Sequence, residues 1–239
     1  MDYAIKVEKL SKAYESYAVV DNLSFKVEKG TVFGLLGANG AGKSTSIECI
    51  LGTKRMDKGE VSILGLDPIY NRKELFEKVG VQFQESNYQE NIRGEELCEV
   101  TASLYKNPID YNELLQRFGI KDKSKTLVKE ISGGERQRLF IVLALIPNPE
   151  VVFLDELTTG LDARSRRDVW QILKGLKKKG LTIVLTSHFM DEVEELCDVI
   201  YILKKGKVVF HGTVKEAIKA SPYERLEDAY LWYTDEEEM

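Results

Sequence analysis

The stretch GANGAGKST, Gly37 to Thr45, follows the apolar run VFGLL and leads into a segment of helical spacing that stops at Gly52. It satisfies G-x-x-x-x-G-K-[ST] in a strand, loop, helix context, and few loops restrict a fold as tightly. The glycines let consecutive backbone N–H groups turn inward around phosphate oxygens without Cβ clashes. Lys43 supplies a mobile charge toward the phosphates and Ser44 a hydroxyl for Mg²⁺, while Gly37, Asn39, Gly40, Ala41, Gly42 and Thr45 complete the candidate binding loop. The alternative is a glycine turn that merely caps a helix, and both flanks weigh against it.

The VFGLL run suits a strand covered on both faces, as in a parallel sheet. Before it, Leu23, Phe25 and Val27 alternate with Ser24, Lys26 and Glu28, the period of a half-buried antiparallel strand, and GEVSILG returns to short β segments. From about Glu85 to Glu130 the β signal vanishes. There Leu97, Val100, Thr101 and Leu104, then Tyr111, Leu114, Leu115 and Phe118, fall at i, i+3, i+4, i+7 and predict an insert of helices with these apolar faces. VVFLD at Val151, a helix carrying Val169, Ile172, Leu173 and Leu176 that ends in KKKG, and LTIVLTSH then alternate as right-handed βαβ units of a mainly parallel sheet.

VVFLDE places Asp155 at the end of a buried strand, where it can hold a Mg²⁺ shell, with Glu156 beyond it as a candidate general base. An acidic pair after an apolar run is by itself more simply a strand end leading into a polar loop; beside the glycine loop it becomes a candidate catalytic pair. A second glycine turn, ISGGERQR, runs into the apolar helix-like segment LFIVLALI, again the design of an anion site.

Composition narrows the partners. A net charge of -5 and the ending DEEEM argue against a nucleic-acid binder, which needs clustered Lys and Arg. Cys49, Cys98 and Cys197 lack metal-ligand spacing and fit buried small hydrophobes in a reducing compartment. No basic start with an apolar core marks the N-terminus, and the apolar run Leu139 to Ile146 falls far short of the roughly 20 residues that span a bilayer. The expectation is a soluble, cytoplasmic chain.

In this order and at these separations, the loop at Gly37, ISGGERQR, VVFLDE, TTGLD and TSH resemble the nucleotide-binding subunit of an ATP-binding cassette (ABC) transporter, over about Leu10 to Leu203. The resemblance implies an α/β fold with a RecA-like P-loop core, an N-terminal antiparallel β subdomain and a helical subdomain insert, with two subunits closing head to tail around ATP and Mg²⁺. It divides a single domain, residues 1–239, into core with β subdomain (1–84 and 136–210), helical signature subdomain (85–135) and C-terminal helical tail (211–239). Tyr14 matches the aromatic that stacks on adenine, with Tyr17 as rival, and Gln84 matches the glutamine that reaches Mg²⁺ and water, with Gln82 as rival. His188 matches the switch histidine that touches the γ-phosphate and orients the base, against the plainer reading of a structural histidine. Ser132, Gly133 and Gly134 match the signature that contacts ATP held by the neighbouring subunit's Lys43, and Gly160, Leu161 and Asp162 the loop that crosses the interface. His211 has no counterpart and is expected at the surface or in packing.

Two residues depart from the pattern. Glu135 stands where the signature usually has glutamine, so its carboxylate must point away from the phosphate site or be offset by Arg136 or Arg138. Leu157 stands where proline is common, with little effect expected. The resemblance implies an ATPase subunit on the inner face of the cell membrane, paired with a second copy or a paralogous ATPase and with a separate transmembrane permease. The ending LEDAYLWYT is similar to that of export-type subunits; an importer subunit remains the alternative. A ribosome- or DNA-acting relative would be expected to carry paired cassettes or long coiled coil. A GTPase or nucleoside kinase shares only the glycine loop, and N-K-x-D is missing while SGGE is present.

Overall fold

The computed structural model describes residues 2–15, 17–83 and 88–235. The alternating N-terminal segments form β1 (Tyr3–Tyr14) and β2 (Tyr17–Glu28), and the VFGLL run lies in β3 (Val32–Gly37), buried along its whole length. The glycine loop opens α1 (Lys43–Ile50), followed by β4 (Lys58–Ile63), α2 (Arg72–Leu75) and β5 (Val79–Gln82). The insert supplies α3 (Gly94–Ser103) and α4 (Tyr111–Arg117) and leads into α5 (Gly133–Leu145). Then come β6 (Val151–Leu154), α6 (Ala163–Lys177), β7 (Thr182–Leu185), α7 (Met190–Leu196), β8 (Val199–Lys204), β9 (Lys207–Gly212), α8 (Val214–Lys219) and α9 (Leu226–Thr234).

Among the described residues the strands make a three-stranded antiparallel sheet, β2-β1-β4, and a six-stranded sheet, β5-β6-β7-β3-β8-β9, parallel except for β9. The core follows the pleat of the second sheet. Val152, Leu154, Ile183 and Leu185 face a cluster with Leu139 and Val142 of α5, Leu114 and Leu115 of α4, and Val169 and Leu173 of α6. The alternate residues Val151, Phe153 and Val184 face Ile47 and Ile50 of α1 and the inner side of the antiparallel sheet, including Val7, Leu10 and Phe25. Leu36, Ile200 and Ile202 pack with Met190 and Val193 of α7 and with Ala217 and Leu226 of the C-terminal helices.

Three expectations change in detail. Val100 on α3 and Leu104 just after it are exposed, at 56% and 71%, because that helix meets its neighbours through buried Cys98 and half-buried Leu97 and Ala102. The division expected between residues 135 and 136 falls inside α5, whose unbroken hydrogen-bonded turns carry the insert into the core. The tail expected from residue 211 begins in β9, where His211 pairs with Tyr201 and the two rings lie 5.2 Å apart. The cysteines behave as small hydrophobes: Cys49 and Cys98 are buried, Cys197 is half-buried, and burial pushes the Cys98 thiol up to about 12.

The start of α5 is set by a capping box. The Glu135 N–H donates to Ser132 Oγ at 3.2 Å, and the Ser132 N–H donates back to Glu135 Oε2 at 2.8 Å. This holds the Glu135 carboxyl below its ordinary range, first through the Ser132 amide, with Lys123 and Arg138 adding attraction. A lowered folded-state value means stability present above the unfolded value and lost as pH falls through the folded one. Glu135→Ala is therefore expected to cost about 1 kcal/mol in denaturant titrations near neutral pH, with the gap to the parent closing at acid pH, whereas Glu135→Gln keeps the capping geometry. At Gly80 in β5 the sheet touches α5 so closely that an added Cβ would lie 1.8 Å from the Ala144 carbonyl oxygen. Gly80→Ala should cost about 2–3 kcal/mol and lower the thermal midpoint by roughly 5–10 °C in calorimetry.

Candidate functional site

The parallel strands β3, β6 and β7 all deliver their carboxyl ends to one edge of the sheet, where ligands of open α/β folds bind. From β3 the glycine loop turns into α1. Gly42 is the residue before that helix, with φ 101, and a Cβ there would lie 2.4 Å from the Val19 carbonyl oxygen, so both backbone angle and space demand glycine. Ala41 is tied down through its carbonyl, which accepts from the Gly206 N–H at 3.1 Å. The loop thus bounds a cavity of about 390 Å³ lined by Val19, Asn39, Gly40, Gly42, Lys43, Ser44, Thr45 and Glu156.

This cavity fits a phosphate chain. The amides of the first turn of α1 have no intrahelical acceptor, and α1 has neither a side-chain cap nor an acidic residue in that turn. Lys43 is 7% exposed, and its Nζ donates to the carbonyls of Gly37 at 2.7 Å and Ala38 at 3.2 Å. Burial lowers the Lys43 ammonium pKa, and Asp155 and Glu156 oppose that shift, so the acidic pair reaches the lysine electrostatically. The hydroxyl of exposed Ser44, which lines the cavity, and the carboxylate of buried Asp155, at the end of β6, are oxygen donors of the kind that suits Mg²⁺. No cluster of three or more His, Cys, Asp or Glu side chains that could hold a metal ion occurs among the described residues.

Asp155 and Glu156 leave β6 beside Thr186 of the loop after β7. Buried Thr186 donates to Asp155 Oδ1 and accepts the Glu156 N–H at 2.9 Å, so one hydroxyl joins both acidic residues. Glu156 has φ 51, a left-handed conformation that costs a non-glycine residue about 1–3 kcal/mol and marks functional loops. Its Oε1 lies 2.9 Å from His188 Nε2. Thr186 was legible only as part of TSH; its bridging position depends on β6 and β7 being neighbours.

The other expected residues divide. Ser132, Gly133 and Gly134 form an exposed to half-buried turn at the start of α5 and do not line the cavity beside Lys43. Glu135 is occupied by the Ser132 cap and lies 3.7 Å from Lys123, so its charge is offset by Lys123 and Arg138. Asp162 caps α6, accepting from the Arg164 and Ser165 amides at 3.0 Å, and Leu161 packs against Gly134. Tyr14 ends β1 with its ring 45% exposed and with Lys12 and Lys54 both 5.5 Å from the ring centre, while its rival Tyr17 is also exposed. Gln84 lies outside the described residues. Gln82, its rival, is buried and donates to the carbonyls of Phe83 and Asp155. Leu157 is buried, and its carbonyl accepts from Gln137 Nε2 at 2.8 Å. Val19 and Gln137 carried no sequence signal of their own.

Comparison with known proteins identifies the family and the fold. The family described as "ABC transporter" matches residues 20–159. The chain is 35% identical over 220 residues to a daunorubicin resistance ATP-binding protein of Streptomyces coeruleorubidus, covering 90% of this chain and 70% of that protein. It is 38% identical over 221 residues to Nod factor export ATP-binding protein I of Rhizobium etli, covering 90% and 70% respectively. A solved ATP-binding subunit of an ABC transporter superposes with a TM-score of 0.87 at 26% identity, covering 96% of this chain and 99% of that one. A phosphate loop with an uncapped helix, an acidic pair at the neighbouring strand end and a histidine against the second acid thus stand in a chain that belongs to the ABC transporter family.

Proposed function

We propose that this chain binds and hydrolyses ATP and thereby powers export through a separate transmembrane permease, as a cytoplasmic subunit on the inner face of the membrane. The observation that carries the reading is the 2.9 Å contact between His188 Nε2 and Glu156 Oε1, since Glu156 lines the cavity that holds Lys43. The named relatives act in drug resistance and Nod factor export, which supports the export direction. No helix among the described residues is long and apolar enough to cross a membrane.

In this reading the first-turn amides of α1 and Gly40 cradle the phosphates, and Lys43 exchanges its bonds to the Gly37 and Ala38 carbonyls for phosphate oxygens. Ser44, Asp155 and Gln84 would hold Mg²⁺, which when bound would supply positive charge to offset that of the phosphates. Glu156 takes a proton from the attacking water, and His188 holds the Glu156 carboxylate in place and reaches the γ-phosphate. Tyr14 stacks on adenine, with Tyr17 as the competing ring. Ser132, Gly133 and Gly134, which do not line this chain's own cavity, offer the N-terminus of α5 to ATP held by a second copy or a paralogous subunit. Asp162 shapes the Gly160 and Leu161 turn that meets that partner.

Replacing Glu156 with Gln removes the base and leaves the cradle. ATP binding should persist, turnover should fall by about 100-fold or more, and an ATP-bound dimer should accumulate in light scattering. A strictly monomeric ATP-bound form would count against the shared site. Lys43→Ala should weaken ATP binding by about tenfold or more in calorimetry, a loss of about 1.4 kcal/mol, and unchanged affinity would refute the cradle assignment.

A further inference from the structure

Glu192, on α7, is 0% exposed, and an isolated carboxylate in such a place is costly. It is not isolated. Its Oε1 accepts from Thr158 Oγ1 at 2.7 Å and from Trp170 Nε1 at 3.0 Å, and Thr158 and Trp170 are themselves buried. Burial pushes the Glu192 carboxyl above its ordinary range, and the Ser187, Thr158 and Trp170 donors pull it back.

The two hydrogen-bond donors, Thr158 and Trp170, and nearby Ser187 belong to different parts of the site. Thr158 closely follows Glu156, Ser187 immediately precedes His188, and Trp170 stands on α6, the helix capped by Asp162. One carboxyl therefore joins the segment that carries the base to the helix that follows the histidine. A second link runs parallel to it: the Arg166 guanidinium of α6 lies 4.6 Å from the centre of the Phe189 ring and 3.5 Å from Asp191. Glu156 sits in a strained backbone conformation, so it needs such outside restraint to keep one position. An apolar side chain would fill the same space with less desolvation cost, but it would not register the two segments.

We propose that Glu192 is a positioning residue for hydrolysis: by bonding Thr158 from α7, it fixes the Glu156 and His188 segments relative to each other and so maintains the contact between base and histidine. The proposal rests on the hydrolytic reading of that pair.

The full chain tests it through steady-state kinetics and the imidazole resonances of its two histidines. Glu192→Met keeps the bulk and removes the acceptor; kcat should fall by about tenfold or more with KM for ATP within about twofold. Glu192→Gln, which retains an acceptor oxygen, should recover most of the loss. In a His188→Ala background the Glu192→Met change should cause little further loss, because the two act through one contact. The His188 resonance should move in Glu192→Met while that of His211, in β9, stays. A folded Glu192→Met variant with unchanged kcat, an undiminished further loss in the His188→Ala background, or an unmoved His188 resonance each overturns the proposal. Should Glu192→Met not fold, Thr158→Val removes the same bond from its other end, with the same expected loss of kcat and the same refutation if turnover is unchanged. Failure of the hydrolytic reading is separate: Glu156→Gln would then turn over ATP like the parent, whatever the Glu192 variants do.

Discussion

Because β6 and β7 pair with Leu154 opposite Leu185, the loops that leave them begin side by side, and Asp155, Glu156, Thr186 and His188 reach one edge of the sheet together. β3 lies next to β7 in the same direction, so the glycine loop and Lys43 arrive at that edge as well. Parallel strands have to be brought into this alignment by crossovers, and both faces must be covered, which accounts for the unbroken burial of β3, β6 and β7. A slip of one residue would exchange the two core faces and separate the acidic pair from Thr186.

The helix N-termini show how the same physics serves both stability and binding. α5, α6 and α8 are capped by Ser132, Asp162 and Thr213, each accepting first-turn amides. α1 opens on a left-handed glycine with no side-chain acceptor, so its positive end stays available to an anion. The cap on α5 also resolves the charge of Glu135. A carboxylate beside a candidate phosphate contact is tolerable when it is bonded to the Ser132 amide and drawn toward Lys123.

Buried polar bonds then connect the parts. Thr186 joins the two acidic residues, Gln137 of α5 reaches the Glu156 and Leu157 carbonyls, and Glu192 joins α7 to Thr158 and Trp170. Such bonds are directional, so they specify relative position in a way that the surrounding Leu and Val contacts do not. The loop after β6 is thereby held from α5, from β7 and from α7 at once.

Much of this was legible in the residues themselves. Continuous apolar runs announced β3, β6 and β7, alternation announced the N-terminal strands, and the spacing of GANGAGKST announced a loop whose glycines have backbone reasons to be there. Side-chain identity likewise marked Lys43, Asp155 and Glu156, since these chemistries follow from strand ends and loop types, whereas His188 was marked only by the family resemblance. Periodicity alone misjudged α3, because an apolar repeat cannot say which face a neighbour covers; Val100 and Leu104 are exposed while Cys98 is buried. Nor could spacing separate Ser132 as a cap from Ser132 as a phosphate donor, or find Thr186, Gln137 and Glu192. Their partners lie far along the chain, and only the order of strands in the sheet brings them together. The sequence by itself determined the local chemistry, because backbone angles, turn types and burial patterns act over a few residues. Tertiary structure alone decided which of those groups meet, because that depends on strand order and helix packing over the whole chain.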